Sequence, residues 1–240
     1  MRLWKGSIVV AGMTAILGMA GSASAAPFIS GYGWLTSDTD AQNASPSTLN
    51  DVSCHGGVQC TTANADVTFS ASGIGFSSFS NPLTDTGNPS TNYSISDFLN
   101  SEGLASNIQY FNTTTGDLVL DNGSGRGMLF EFTGQAQFTN GQTFTVTHDD
   151  GLTMDVFDPS SFVFSDAGPS SPNTVTFTYT GNTGLYNFEL VYGECCGAPA
   201  VFQTTLVPGS PTVPEPASMF LLGTGLVGLG SSARRRLRRK

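Results

Sequence analysis

A chain of 240 residues with 39% hydrophobic and only 11% charged side chains is poor in charge for a globular protein, where about a quarter is usual. Eight of its nine Lys and Arg sit at the ends, Arg2 and Lys5 in front and Arg234, Arg235, Arg236, Arg238, Arg239 and Lys240 behind; Arg126 alone lies between them, with all 18 acidic residues falling from Asp38 to Glu215. The polyanionic body excludes nucleic acid as a partner, since phosphates demand Lys and Arg. It suits divalent cations, although an acidic surface also serves solubility alone.

Residues 1–25 read as a signal peptide. Arg2 and Lys5 form a positive start, Ile8 to Met19 an apolar core, and Ala23-Ser24-Ala25 a small-residue cleavage site. Cleavage after Ala25 by signal peptidase, following passage through the Sec machinery, leaves an exported body over residues 26–207.

Residues 27–66 are rich in Ser, Thr, Asn, Asp and Gly and read as loops with short edge strands. Period-two strand signals come next: Val67, Phe69, Ala71; one helix around Ser96 to Ser106 with Ser96 as N-cap; then Met128, Phe130, Phe132; Phe144, Val146; Leu152, Met154, Val156; Val175, Phe177, Tyr179; Tyr186, Phe188, Leu190; and Phe202, Thr204, Leu206. Asn140-Gly141 and Asp150-Gly151 read as hairpin turns. The expected fold class is all-β, an antiparallel, jelly-roll-like β-sandwich with one short helix, flanked by the signal helix and a C-terminal transmembrane helix. Phe69, Phe130, Phe144 and Phe177 fall at core spacing. Trp34, Tyr93 and Tyr110 fall in loops, where they could stack on sugars.

The four cysteines are Cys54, Cys60, Cys195 and Cys196. Export makes disulfides the default. Cys54 with Cys60 and the vicinal Cys195-Cys196 are one pairing. Cross-links between the two clusters are the other, and are favoured because a vicinal bridge is strained. Zinc on Cys54, His55, Cys60 and a third thiol matches no tight ligand spacing.

After a Pro-rich linker over residues 208–216, an apolar stretch begins at Ala217 and the basic cluster closes the chain. The 14 residues from Ala217 to Gly230 span about 21 Å as a helix, short of a ~30 Å hydrocarbon core. An anchor over residues 217–233, with snorkelling Arg side chains, makes up part of the difference. The cluster at 234–240 stays cytoplasmic. Val213-Pro214-Glu215-Pro216, the short span and the Arg tail together resemble the PEP-CTERM sorting signal of Gram-negative bacteria. The resemblance implies an inner-membrane-anchored precursor, recognition by an exosortase and removal of the tail near Pro214-Glu215-Pro216. The product then goes to the cell surface or extracellular matrix, where extracellular polysaccharide is a partner.

Within the body, His148-Asp149-Asp150-Gly151, the strand Leu152 to Val156, the segment Gly184 to Tyr192 and the turn Glu194 to Ala200 resemble the protective-antigen-type β-sandwich of bacterial glycosidases, adhesins and yeast flocculins. The resemblance covers about residues 127–207. It implies that Asp149 and Asp150 hold Ca²⁺, that sugar hydroxyls complete its shell, and that the turn with Glu194 supplies the second loop. Lectin members usually carry Asn there; this chain has none between Tyr192 and Ala200, and Glu194 is the substitute. Hard carboxylate oxygens are what Ca²⁺ takes. Asp-Asp-Gly also makes a good solvated turn for backbone reasons alone.

No enzyme is expected. The body lacks Lys, has only His55 and His148, and carries no G-x-S-x-G, H-E-x-x-H, P-loop or Rossmann fingerprint. A carboxylate pair for glycoside hydrolysis is the one catalytic arrangement the composition leaves open, but adjacent Asp149 and Asp150 point to opposite faces of an extended strand. A calcium-dependent carbohydrate binder and a structural, glycosylated matrix protein are the two remaining readings.

Overall fold

Alternating side chains build two antiparallel sheets that close on an aromatic core. A computed structural model describes residues 29–51, 53–54, 58–77, 94–111, 126–196 and 200–209, all within the compact unit Ala25–Thr212. The signal peptide with Ala23 and Ala25, His55, Tyr93, the sorting motif, the 217–233 anchor and the basic cluster lie outside the described residues. Among the described residues no helix is long and apolar enough to cross a membrane.

The elements in chain order are β1 (Ile29–Ser37), α1 (Asp38–Gln42), α2 (Pro46–Asp51), β2 (Ser53–Cys54), β3 (Val58–Gln59), β4 (Val67–Ala71), β5 (Gly75–Ser77), α3 (Ile95–Asn100), β6 (Ala105–Tyr110), β7 (Arg126–Phe138), β8 (Thr143–His148), β9 (Leu152–Val156), β10 (Phe162–Asp166), β11 (Asn173–Thr178), β12 (Gly184–Glu194) and β13 (Val201–Thr204). The large sheet runs β10-β9-β12-β7-β1-β4-β6, and the small one β11-β8-β13-β5. β12 pairs with β7 from Gly184 opposite Phe138 to Glu194 opposite Met128.

Every even-numbered apolar position of β7, from Met128 through Phe130, Phe132 and Ala136 to Phe138, is fully buried between the sheets. Tyr192 stacks on Phe202 at 4.9 Å and Phe132 lies 5.3 Å from Phe202, so rings from both sheets interleave. Each buried Phe contributes about 1.5–3 kcal/mol by leaving water. The expected all-β sandwich is therefore present, and Phe69, Phe130, Phe144 and Phe177 are core residues.

Three local expectations are corrected. β1 is a central strand of the large sheet, between β7 and β4, and not a loop with edge strands. Its inward positions are Ile29, Gly31, Gly33 and Leu35, so its apolar alternation is hidden by two glycines. The ring of Phe69 lies where a Gly31 side chain would stand, and Val67 and Phe130 occupy the space over Gly33. Trp34 consequently faces outward from β1 and is buried, its indole N–H donating to Thr61 O at 3.0 Å. Tyr110 ends β6 and packs against the core. Neither is a loop platform.

The helix begins at Ile95, with Ser94 as N-cap; its hydroxyl accepts from Asp97 N at 3.0 Å and Asp97 reaches back to Ser94 N, a reciprocal box that Ser96 has no partner to match. It ends at Asn100, and Ala105 and Ser106 already belong to β6.

Neither Asn140-Gly141 nor Asp150-Gly151 closes a hairpin. Each carries the chain from one sheet to the other, β7 to β8 and β8 to β9. Gly141 does turn the chain at φ +82°. Local turn chemistry, however, does not dictate which strand pairs next, and Phe138 against Phe144 at 5.8 Å binds the two sheets across that turn.

Candidate cation site

The crossing from β8 to β9 and the end of β12 meet at one end of the sandwich. Tyr192 and Glu194 share the inward face of β12, two residues apart. Asp149 and Asp150 leave β8 before β9 begins, so they are not bound to strand alternation. Side-chain oxygens of Asp149, Asp150 and Glu194 all lie within 4.8 Å of one another. The expectation that the two aspartates diverge is thus corrected: the chain bends between the sheets there.

The crossing is held from behind by α1. A side chain on Gly151 or Gly193 would collide with the backbone carbonyls of Gln42 and Ala41 respectively, and glycine lets the segments touch. Gly193 N donates to Gly151 O at 2.8 Å and Gly168 N to Gln42 O at 3.1 Å. His148 Nδ1 lies 2.7 Å from Asp150 O, and its Nε2 is 3.4 Å from Asp166 Oδ2 without hydrogen-bond alignment.

All three carboxylates are buried, at 2%, 2% and 1% exposure. Asp150 is satisfied by backbone amides: Cys195 N donates to Oδ2 at 2.6 Å and Ser170 N to Oδ1 at 3.3 Å. Asp149 and Glu194 share the hydroxyl of Tyr192, 2.6 Å from Glu194 Oε2, which has one proton for two acceptors. Val201 N donates back to that phenol oxygen at 3.3 Å. Among the described residues Asp149 Oδ2 has no partner.

Burial pushes the Asp149 carboxyl up to about 8, with the charge of Asp150 adding to it against the pull of the Tyr192 hydroxyl. Burial and then the charges of Asp149 and Asp150 hold Glu194 well above the usual carboxylate range. A buried cluster of this kind is held together either by protons or by a cation. The donor set is hard oxygen throughout, and the orphaned Asp149 Oδ2 is an open acceptor. These residues fit Ca²⁺ or a similar divalent ion.

The disulfides are Cys54–Cys60 and the vicinal Cys195–Cys196. The favoured cross-link is therefore corrected. Cys54 and Cys60 belong to a satellite cluster with Trp34 and Leu129 on the outer side of the large sheet, whereas Cys195 and Cys196 directly follow the end of β12. No thiol remains for zinc.

The structure brings together Asp149, Asp150 and Glu194, which the sequence had singled out, and adds Tyr192 as the bridge between Asp149 and Glu194, which the sequence reading missed. The signal was available as Tyr-x-Glu on an inward strand face. The backing by α1 had no such signal, because it depends on backbone approach at two glycines.

No curated protein matches the chain. Solved structures similar to it include two PA14 domains. One is a PA14 sugar-binding domain from an RTX adhesin, 23% identical, covering 77% of this chain and 91% of that one, with a TM-score of 0.46. The other is the PA14 domain of the MpAFP antifreeze protein, 18% identical, covering 77% and 84%, with a TM-score of 0.40. At the far end of the chain, residues 212–236 match the PEP-CTERM protein-sorting motif, and the chain therefore carries the signal of an exported, exosortase-processed surface protein.

Proposed function

We propose that the processed protein is a surface adhesive module that binds Ca²⁺ through Asp149, Asp150 and Glu194 and, with it, hydroxyls of extracellular polysaccharide. In this reading signal peptidase cleaves after Ala25, an exosortase acts near Pro214-Glu215-Pro216, and residues 217–233 anchor the precursor in the inner membrane until then, with the basic tail 234–240 on the cytoplasmic side. The observation that carries it is the buried carboxylate trio with Asp149 Oδ2 unpartnered. A bound divalent ion supplies the positive charge that the body's Lys and Arg do not. The chain's own part is positioning: the Cys195 and Ser170 amides fix Asp150, and Tyr192 holds Asp149 to Glu194.

The depth of the trio favours a second reading, in which the ion is structural and the protein a glycosylated matrix component. One experiment separates them. Chelator-treated protein is titrated with Ca²⁺ by calorimetry and then passed over immobilised polysaccharide from the host with and without the ion. Calcium uptake with calcium-dependent retention supports the adhesive reading. Uptake without retention supports the structural one. No uptake removes both uses of the trio.

A further inference from the structure

The outer face of the large sheet is half covered. Ala44, Leu49, Cys54, Cys60 and Ala65, from the excursion between β1 and β4, pack over Trp34, Leu129 and Val191. Further along the same strands this cover stops among the described residues. Beyond its edge lies an open cavity of about 490 Å³ lined by Ser30, Thr133, Gln135, Phe157, Asn187 and Glu189, with Gly209 at one side. Pockets of this size hold small ligands or a few sugar rings.

Its walls are built, not incidental. Ser30 stands opposite Thr133, Thr133 opposite Glu189 and Gln135 opposite Asn187, so β1, β7 and β12 present one continuous row. Gln135 Nε2 donates to Asn187 Oδ1 at 2.9 Å, and both residues are exposed. Phe157 is 57% exposed, although a core lies beside it, and Leu185 on the same face of β12 is 41% exposed. An exposed ring beside planar amides and hydroxyls is what a sugar needs: an apolar face for its C–H side and donors and acceptors for its rim.

The charge is one-sided. Glu189 stands opposite Asp155, and Glu131 lies diagonally next to it on β7. The body's one Lys or Arg, Arg126, is nine positions before Gln135 in the sequence, roughly 30 Å along β7. Burial and then the charge of Glu189 push Glu131 up to about 7.

We propose that the uncovered half-face is a saccharide subsite that needs no metal and selects cationic amino-sugar units, with the ring on Phe157, the hydroxyls on Gln135, Asn187, Ser30 and Thr133, and the ammonium on Glu189. It is independent of the carboxylate trio, so either can fail without the other.

The test is titration of the purified exported protein, in chelator and at a pH where the sugar amines are charged, with a short glucosamine oligomer and its N-acetylated counterpart. Binding is expected in chelator, about tenfold or more weaker for the acetylated oligomer and for Glu189→Gln. Phe157→Ala, which leaves the charge unchanged, is expected to lose about tenfold as well. Unfolding midpoints confirm that both pocket variants are folded. No binding overturns the proposal. So does equal binding by wild type, Glu189→Gln and Phe157→Ala, the mark of general attraction to an acidic surface, and so does equal affinity for the acetylated oligomer. Binding that needs Ca²⁺ and is lost in Asp149→Asn overturns it in favour of the trio.

Discussion

Asp158 and Asp149 are both buried carboxylates, at 5% and 2% exposure, and their surroundings drive them in opposite directions. Burial alone would raise Asp158. Ser160, Asn182 N at 2.8 Å, Phe162 N at 3.1 Å and the Tyr179 hydroxyl at 2.8 Å outweigh it and hold the group well below the usual range. Its folded value lies below its unfolded one, so its contribution is complete above about pH 4 and is lost as pH falls through the folded value. Asp158→Asn replaces an acceptor with a donor facing donors. It is expected to cost about 2 kcal/mol or more in urea unfolding at neutral pH, and less as the pH is lowered. Glu131 has the reverse sign. Its folded value is raised to about 7, so the folded state keeps a proton that the unfolded chain releases, and stability falls as pH rises from about 4 to about 7. Glu131→Gln is expected to make that decline shallower, read as unfolding free energy across the same pH series.

Among elements, α1 shows how much depends on two missing side chains. Gly151→Ala puts a methyl into the Gln42 carbonyl. The variant is expected to lose about 1–3 kcal/mol, as overpacked sites do, and to loosen the crossing that carries Asp149 and Asp150. Thermal unfolding with and without Ca²⁺ checks both effects, the second as a smaller response to the ion. Strands with a plain apolar alternation, β7, β8, β9 and β12, were legible because the period is written in Phe, Met, Leu and Val. β1 was not, since Gly31 and Gly33 occupy inward positions and the rings that fill their space come from other strands. The start of α3 was missed by two residues because two serines compete and only Ser94 has an acid three positions on. The two turns were legible as turns; their crossing between sheets was not, because sheet membership is decided by packing at long range.

For the whole molecule, the acidic body was legible as composition, and the sorting motif as a contiguous pattern. The trio was legible as residue types through a family resemblance. Its closeness was not, because Glu194 is 44 positions beyond Asp150 in the sequence and the fold brings them within 4.8 Å. The amide donors, the shared phenol and the α1 backing are long-range products of a sandwich with β8 and β12 in different sheets. The central claim is that this cluster is a cation site of the folded protein. It is tested most directly by thermal unfolding of chelated protein, with and without Ca²⁺, for wild type and Asp149→Asn. At calcium about a hundredfold above Kd, wild type is expected to gain about 5–10 °C. Asp149→Asn, which cannot supply a carboxylate to the ion, is expected to gain nothing from calcium. A wild-type midpoint that does not move with calcium, or an equal rise in the variant, contradicts the account.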